Sequence, residues 1–250
     1  MPRLILLTFI FLFVISCFKK SSPIAIGHRG AMGYIAENTI PSIEKAIELG
    51  ADGIEIDVFK CASGELVVFH DLMLDKLTDL SGNIEETSLE TIKKAKVLGS
   101  YEIPTLNEVM DLIDGSLIIN IELKGSGTAG PTNDLLKDYF KKPSWDPSKI
   151  IISSFKWEEL NIFFNLNEEI PIAILTDDDP LKAIPFAKII KAYAINPKYS
   201  LLTKKNSKII KSEGIKLFPW TVNDPSDINF LISLGVDGII TDFPDRVNKE

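Results

Sequence analysis

Two histidines, His28 and His70, are the only ones in 250 residues. Each closes a short apolar run, Ile24–His28 and Leu66–His70. Imidazole gains or loses a proton near neutral pH, so two of them in matching positions suit an acid/base pair. Taken singly, a polar residue ending a strand would look the same. The stretch Gly53-Ile54-Glu55-Ile56-Asp57-Val58 alternates strictly. On a strand this puts Glu55 and Asp57 on one face and Ile54, Ile56 and Val58 on the other. Asn120-Ile121-Glu122-Leu123-Lys124 repeats the design, with Asn120, Glu122 and Lys124 together. A strand with one face in water alternates in the same way. Recurrence of the pattern beside two His-ended strands points instead to carboxylates gathered at a site. Burying carboxylates is costly unless a cation or hydrogen bonds offset it. Glu55, Asp57 and Glu122 therefore suggest a hard divalent cation with oxygen ligands, Ca²⁺ or Mg²⁺. Zn²⁺ would be expected to recruit His or Cys.

The elements that must position these residues alternate along the chain. Strand candidates are 24–28, 53–59, 66–70, 117–123, 150–154, 171–176, 192–196, 217–222 and 238–241, mostly unbroken runs of Ile, Val and Leu. That is the pattern of parallel strands covered on both faces. Helices fall between them. Asn38 is placed to cap one that runs to Leu49, and Thr87–Glu90 and Thr105–Glu108 fit capping boxes. Asp224-Pro225 opens a helix that Gly235 stops, and 157–166 and 204–212 are further helices. Repeated strand-helix units over this length suggest a TIM-type (β/α)₈ barrel, with a doubly wound open sheet as the second choice. Nine strand candidates are one too many. The turn 60–65 is too short for a parallel crossover, so 66–70 is hairpin-like or one of the nine lies outside the barrel. Residues 72–112 read as a small insertion over the barrel mouth. No solenoid repeat or low-complexity tract is present.

Composition narrows the class. A chain 45% hydrophobic and 25% charged is globular, and a net charge of −8 argues against a general nucleic-acid binder. The amino terminus stands apart. A positive start, then an apolar run from Leu4 to Ile15 broken only by Thr8, is short for a membrane span and reads as a signal peptide. Val14-Ile15-Ser16-Cys17 resembles a bacterial lipoprotein cleavage site, with Val14 where Leu is usual. The expected organisation is a signal peptide over 1–16 cleaved before Cys17, a linker over 17–23 and a barrel domain over 24–250. An ordinary secretory signal with a chance Cys is the other reading. With Cys17 lipidated, Cys61 has no disulfide partner and reads as a small residue in a surface turn.

Gly27-His28-Arg29-Gly30, Glu37-Asn38-Thr39, Glu55-Ile56-Asp57, His70-Asp71, Asn120–Lys124, Trp220-Thr221-Val222-Asn223 and Asp237–Asp242 together resemble the glycerophosphodiester phosphodiesterase family. Each motif alone is weak, and seven in order from Ile24 to Pro244 are specific. Ala36 departs from the proline usual before Glu-Asn-Thr. The resemblance implies a TIM-barrel hydrolase that splits a glycerophosphodiester into glycerol 3-phosphate and an alcohol. Glu55, Asp57 and Glu122 then match the metal ligands and His28 and His70 the catalytic pair. Arg29 and Lys124 match positions near the phosphate, and Trp220 matches a pocket wall. Either histidine can be the acid, and the nucleophile is water or the glycerol's neighbouring hydroxyl.

For the supporting residues, Glu37 braces a loop or assists the site, and Asp71 orients His70 or ends its strand. Asp242 reads as a turn residue outside the site. A lipid-anchored enzyme of the bacterial envelope, facing the periplasm or cell surface, is the expected setting, with no protein partner identifiable. Two alternatives stand beside it. One is a phospholipase-type enzyme acting on intact lipids, which needs an apolar rim that the charged 72–112 segment does not suggest. The other is a surface binding module with vestigial catalysis.

Overall fold

The computed structural model describes residues 22–247. The signal segment 1–16, Cys17 and the linker as far as residue 21 lie outside the described residues. The elements run β1 (Ile24–His28), α1 (Ile40–Glu48), β2 (Gly53–Lys60), β3 (Leu66–Val68), α2 (Leu89–Ile92), α3 (Leu106–Ile113), β4 (Ile118–Leu123) and α4 (Ala129–Tyr139). They continue with β5 (Ile150–Ser154), α5 (Trp157–Leu166), β6 (Ile172–Thr176), α6 (Ile184–Ile189), β7 (Ala194–Pro197), α7 (Lys204–Ser212), β8 (Lys216–Leu217), α8 (Pro225–Leu234) and β9 (Gly238–Thr241).

Eight strands are parallel in the order β8-β7-β6-β5-β4-β2-β1-β9. The seam between β8 and β9 is drawn together by three backbone bonds. Asp237 N donates to Leu217 O, Ile240 N to Pro219 O, and Val222 N to Ile240 O, each at 3.0 Å. The expected barrel is therefore present and nearly closed. Strand β8 stops at Leu217, well short of the expected 222. Pro219 has no N–H for a ladder, and beyond it pairing with β7 resumes only as an isolated bridge of Trp220 beside Lys198.

The ninth candidate is the extra one. Strand β3 pairs antiparallel with the end of β2, Val58 opposite Val68 and Lys60 opposite Leu66, and takes no place in the barrel. The insertion expected over 72–112 runs instead over 61–103, since Leu106, Val109, Met110 and Ile113 of α3 belong to the barrel's own core. It packs a small core of its own on this hairpin, around Phe59, Val67, Phe69, Leu74, Ile84, Ile92 and Ile103. Cys61 is 2% exposed and belongs to that core, so it is no surface residue. Its thiol donates to Glu65 Oε2 at 3.3 Å.

The outward faces of the strands pack under the helices, with Ile54, Ile56, Val58, Ile119, Ile121 and Leu123 all in one continuous core. The barrel axis holds a thin second cluster of Ile26, Ile151, Ala173, Ala194, Phe218 and Ile240. Small Ala173 and Ala194 leave room for Phe218 there. Above this layer the inward positions turn polar, and the site begins.

Caps follow the sequence unevenly. Thr105 and Glu108 form a reciprocal capping box on α3, Asp224 caps α8 and Gly235 ends it at φ 74°. At α1 the cap is Thr39, not Asn38. At α2 the Ser88 side chain makes no capping bond, and the helix lasts a single turn.

Candidate active site

The carboxyl end of β1 starts the site. Arg29 sits at φ 51° and Gly30 at φ 86°, a turn in the left-handed region that only glycine adopts freely. A Cβ on Gly30 would lie 2.5 Å from Ser42 Oγ, which fixes glycine there. The turn is tied to the start of α1. Asn38 N donates to Arg29 O at 3.0 Å, and Ser42 Oγ donates to the same carbonyl at 3.0 Å. Arg29 N, turned inward, donates to Glu55 Oε2 at 3.0 Å.

The register of β2 against β4 sets Glu55 opposite Asn120 and Asp57 opposite Glu122. All four side chains point to the barrel axis and are buried. Glu55, Asp57 and Glu122 each present an oxygen within 4.8 Å of the others. Two cations flank them. Arg29 Nε lies 3.1 Å from Asp57 Oδ2 and its Nη1 lies 2.6 Å from Glu37. Lys124 Nζ lies 2.9 Å from Glu122 and 3.5 Å from Asp57 Oδ1.

Burial, and repulsion from Asp57 and Glu122, push the Glu55 carboxyl well above its usual range. Burial and the charge of Asp57 lift Glu122 to about 7, against the pull of Lys124. Burial works against ionised Asp57 too, yet Arg29 and Lys124 hold it below the usual carboxylate range. Three acids thus share too little positive charge, and Asp57 Oδ1 accepts no hydrogen bond. An all-oxygen donor set of this kind fits a divalent cation of the Ca²⁺ or Mg²⁺ type.

The two histidines face this cluster from different bodies. His28 ends β1, and its Nε2 lies 4.0 Å from Glu55 Oε2. Its Nδ1 lies 2.7 Å from Asp242 Oδ1. Asn223 fixes Asp242 in turn, donating to Oδ2 at 2.6 Å and accepting from its backbone N at 3.0 Å. Burial opposes the ionised form of Asp242, and the hydrogen bond and charge of His28 outweigh it, holding its carboxyl low. His70 follows β3 and so is presented by the hairpin rather than by a barrel strand. Burial lowers its basicity, Arg29 and Lys124 lower it further, and Asp57 opposes them. Asp71 lies 3.3 Å from its Nδ1 and also holds Lys76 at 3.0 Å.

The cleft over these groups is lined by His28, Arg29, Glu55, His70, Asn120, Glu122, Lys124 and Trp220 among others. Trp220 donates its indole N–H to Asn196 O at 2.8 Å. It meets Phe155 edge to face at 5.2 Å, so one wall is aromatic while the floor is charged.

All eight site residues expected from the sequence are brought together here. Asp242, read from the sequence as a turn residue, is a direct partner of His28. Asn38, read as a cap, is buried at φ 55°. Its carboxamide donates to Asp57 Oδ2 at 2.9 Å and accepts from Asp57 N at 3.3 Å. Phe155 was not singled out at all. Its position just after β5 was the available signal, because residues following barrel strands line the mouth.

A barrel carrying an acidic, cation-flanked cluster, with one histidine at a barrel strand end and another on the adjoining hairpin, defines a hydrolase-type centre. Residues 28–246 match the model of the glycerophosphoryl diester phosphodiesterase family, and the chain belongs to it. It is 36% identical to the glycerophosphodiester phosphodiesterase of Caldanaerobacter subterraneus subsp. tengcongensis, over 90% of this chain and 96% of that one. A Bacillus altitudinis protein of the same name is 35% identical, over 89% and 95%. Among solved structures, an Oleispira antarctica phosphodiesterase in complex with the product sn-glycerol-3-phosphate superposes with a TM-score of 0.82. The identity is 28%, covering 90% of this chain and 95% of that one.

Proposed function

We propose that the chain hydrolyses glycerophosphodiesters to glycerol 3-phosphate and an alcohol, using one divalent cation and its two histidines. The observation that carries this reading is the oxygen cluster of Glu55, Asp57 and Glu122, set between His28 and His70 and beside two cations. Glu55, Asp57 and Glu122 would hold the cation. When bound, it would supply positive charge to a non-bridging phosphate oxygen as negative charge builds there.

The remaining chemistry belongs to the chain itself. Arg29 offers a planar pair of donors to the phosphate and Lys124 a point charge. His70, kept neutral by burial and by those same cations, takes the proton from the attacking oxygen. His28, with Nδ1 held by Asp242, turns Nε2 to the cleft and gives a proton to the departing alcohol oxygen. A new P–O bond forms and the P–O bond to the alcohol breaks, so the proton gained at one oxygen balances the one lost at the other. The Phe155–Trp220 wall takes the carbon skeleton.

The setting we propose is the bacterial envelope, with the chain tethered through lipid on Cys17 and facing a non-cytosolic compartment. Leu72, Met73 and Phe155, between 41% and 44% exposed beside the mouth, favour a second reading in which intact lipids are the substrate. Release of glycerol 3-phosphate from glycerophosphocholine, compared with attack on phosphatidylcholine vesicles, separates the two. Turnover of glycerophosphocholine should be lost with EDTA, return with Ca²⁺ or Mg²⁺, and be absent in His70→Ala. A folded, cation-loaded chain that turns over no small glycerophosphodiester would sink the first reading.

A further inference from the structure

We propose that the amino-terminal end of the barrel lies against the membrane that holds Cys17, with the catalytic mouth turned away from it. The substrates are then water-borne diesters rather than lipids of that membrane. The inference rests on the tethered reading given above and narrows its substrate class.

The exit point of the chain is firm. Pro23 is buried and Ser22 exposed, and Ile24 N donates to Asp237 O at 3.1 Å. This pins the entry to β1 beside the entry to β9, at the amino-terminal end of the barrel. Every group of the site lies at the other end. His28 closes β1, Lys124 follows β4, Phe155 follows β5 and Asp242 follows β9.

Five Cα–Cα steps, through the four residues Phe18 to Ser21, join the proposed anchor Cys17 to Ser22. Fully extended they span at most about 18 Å, at about 3.5 Å per residue. To bring the mouth to the same bilayer, this tether would have to round the outside of the barrel. It would first cross the helix layer, about 10 Å, and then climb past helices such as α4. The 11 residues of α4 rise about 16 Å at 1.5 Å each. The path, about 26 Å before the rim is reached, exceeds the tether. A tilt of the barrel lays its side on the bilayer and still leaves the mouth short of facing it. The apolar residues at the rim then meet the compartment, or a lipid surface opposite, and never the headgroups around Cys17.

The test uses the full lipidated chain in phosphatidylcholine vesicles that carry a headgroup-linked fluorescence acceptor. A donor dye is placed on Lys141→Cys, in the exposed α4–β5 connection at the amino-terminal end, or on Asp177→Cys, exposed in the β6–α6 connection at the mouth. The unsubstituted chain, with Cys61 buried, serves as the labelling control. The donor at 141 should be quenched at least about twofold more than the donor at 177. A flexible Gly/Ser insertion of about 30 residues after Ser21 should bring the two together. Equal or stronger quenching at 177 with the natural linker would overturn the inference. Failure of the chain to stay with the vesicles would remove the tether and the inference with it. The hydrolase reading would be untouched by that result, because glycerophosphocholine turnover tests it separately.

Discussion

Asp242 and His70 are the residues whose roles are most exposed to test. Asp242→Asn keeps the shape of the His28 partner and removes its charge. Turnover should fall roughly 10- to 10³-fold with little change in KM, because the loss falls on proton transfer rather than on phosphate binding. Steady-state kinetics on glycerophosphocholine would show the split, and a drop in affinity with unchanged kcat would refute the positioning role. His70 stays neutral to lower pH than an ordinary imidazole, whose value is 6.5. The acid limb of kcat/KM should therefore lie below pH 6.5, and an acid limb above it would assign the base elsewhere. The three carboxylates were legible because a period of two is local information. Asp242 was not, because its partner lies 214 residues away in the chain and only closure of the barrel joins them. Asn38 ranks above Thr39 as a cap residue, yet Thr39 caps α1. Choosing between them required knowing that Asp57 would sit over Asn38.

The helices most visible in the sequence carry plain punctuation, as at α3 and α8, while α4 and α6 escaped it. Gly130 and Pro131 fall in the first turn of α4 and Pro185 in that of α6. Near a helix start such residues cost little, since those N–H groups lack helical partners anyway, but in a sequence they read as breakers. The start of α4 is secured from outside the helix. Glu159, buried on α5, accepts from Gly127 N at 2.6 Å and Ala129 N at 2.9 Å. Glu159→Ala should lower stability by about 2–3 kcal/mol, through lost charged hydrogen bonds and two stranded donors. It should also loosen the loop directly after Lys124. Denaturant unfolding with parallel kinetics would check this, and an unchanged midpoint would show that water replaces the carboxylate.

Over the whole molecule, the acidic cluster couples cation binding to protons. Glu122 titrates at about 7 in the folded chain without a cation, against an ordinary 4.5. Folding therefore favours its protonated form, and its contribution to stability is lost as pH rises from 4.5 to 7. A bound divalent cation must displace that proton. Calorimetric titration with Ca²⁺ or Mg²⁺ in buffers of differing ionisation enthalpy should show more proton release near about pH 6 than near about pH 8, and equal release at both would contradict the burial argument. The barrel architecture was legible from alternating elements, whereas the hairpin was visible only as one strand too many. That hairpin has a consequence for heat inactivation. One of the two histidines rides on a small core of its own, outside the eight strands that carry the carboxylates. Local unfolding of the 61–103 unit would withdraw His70 and leave Glu55, Asp57 and Glu122 in place. On warming, turnover should be lost several degrees before the barrel melts, over a range in which the protein still binds its cation.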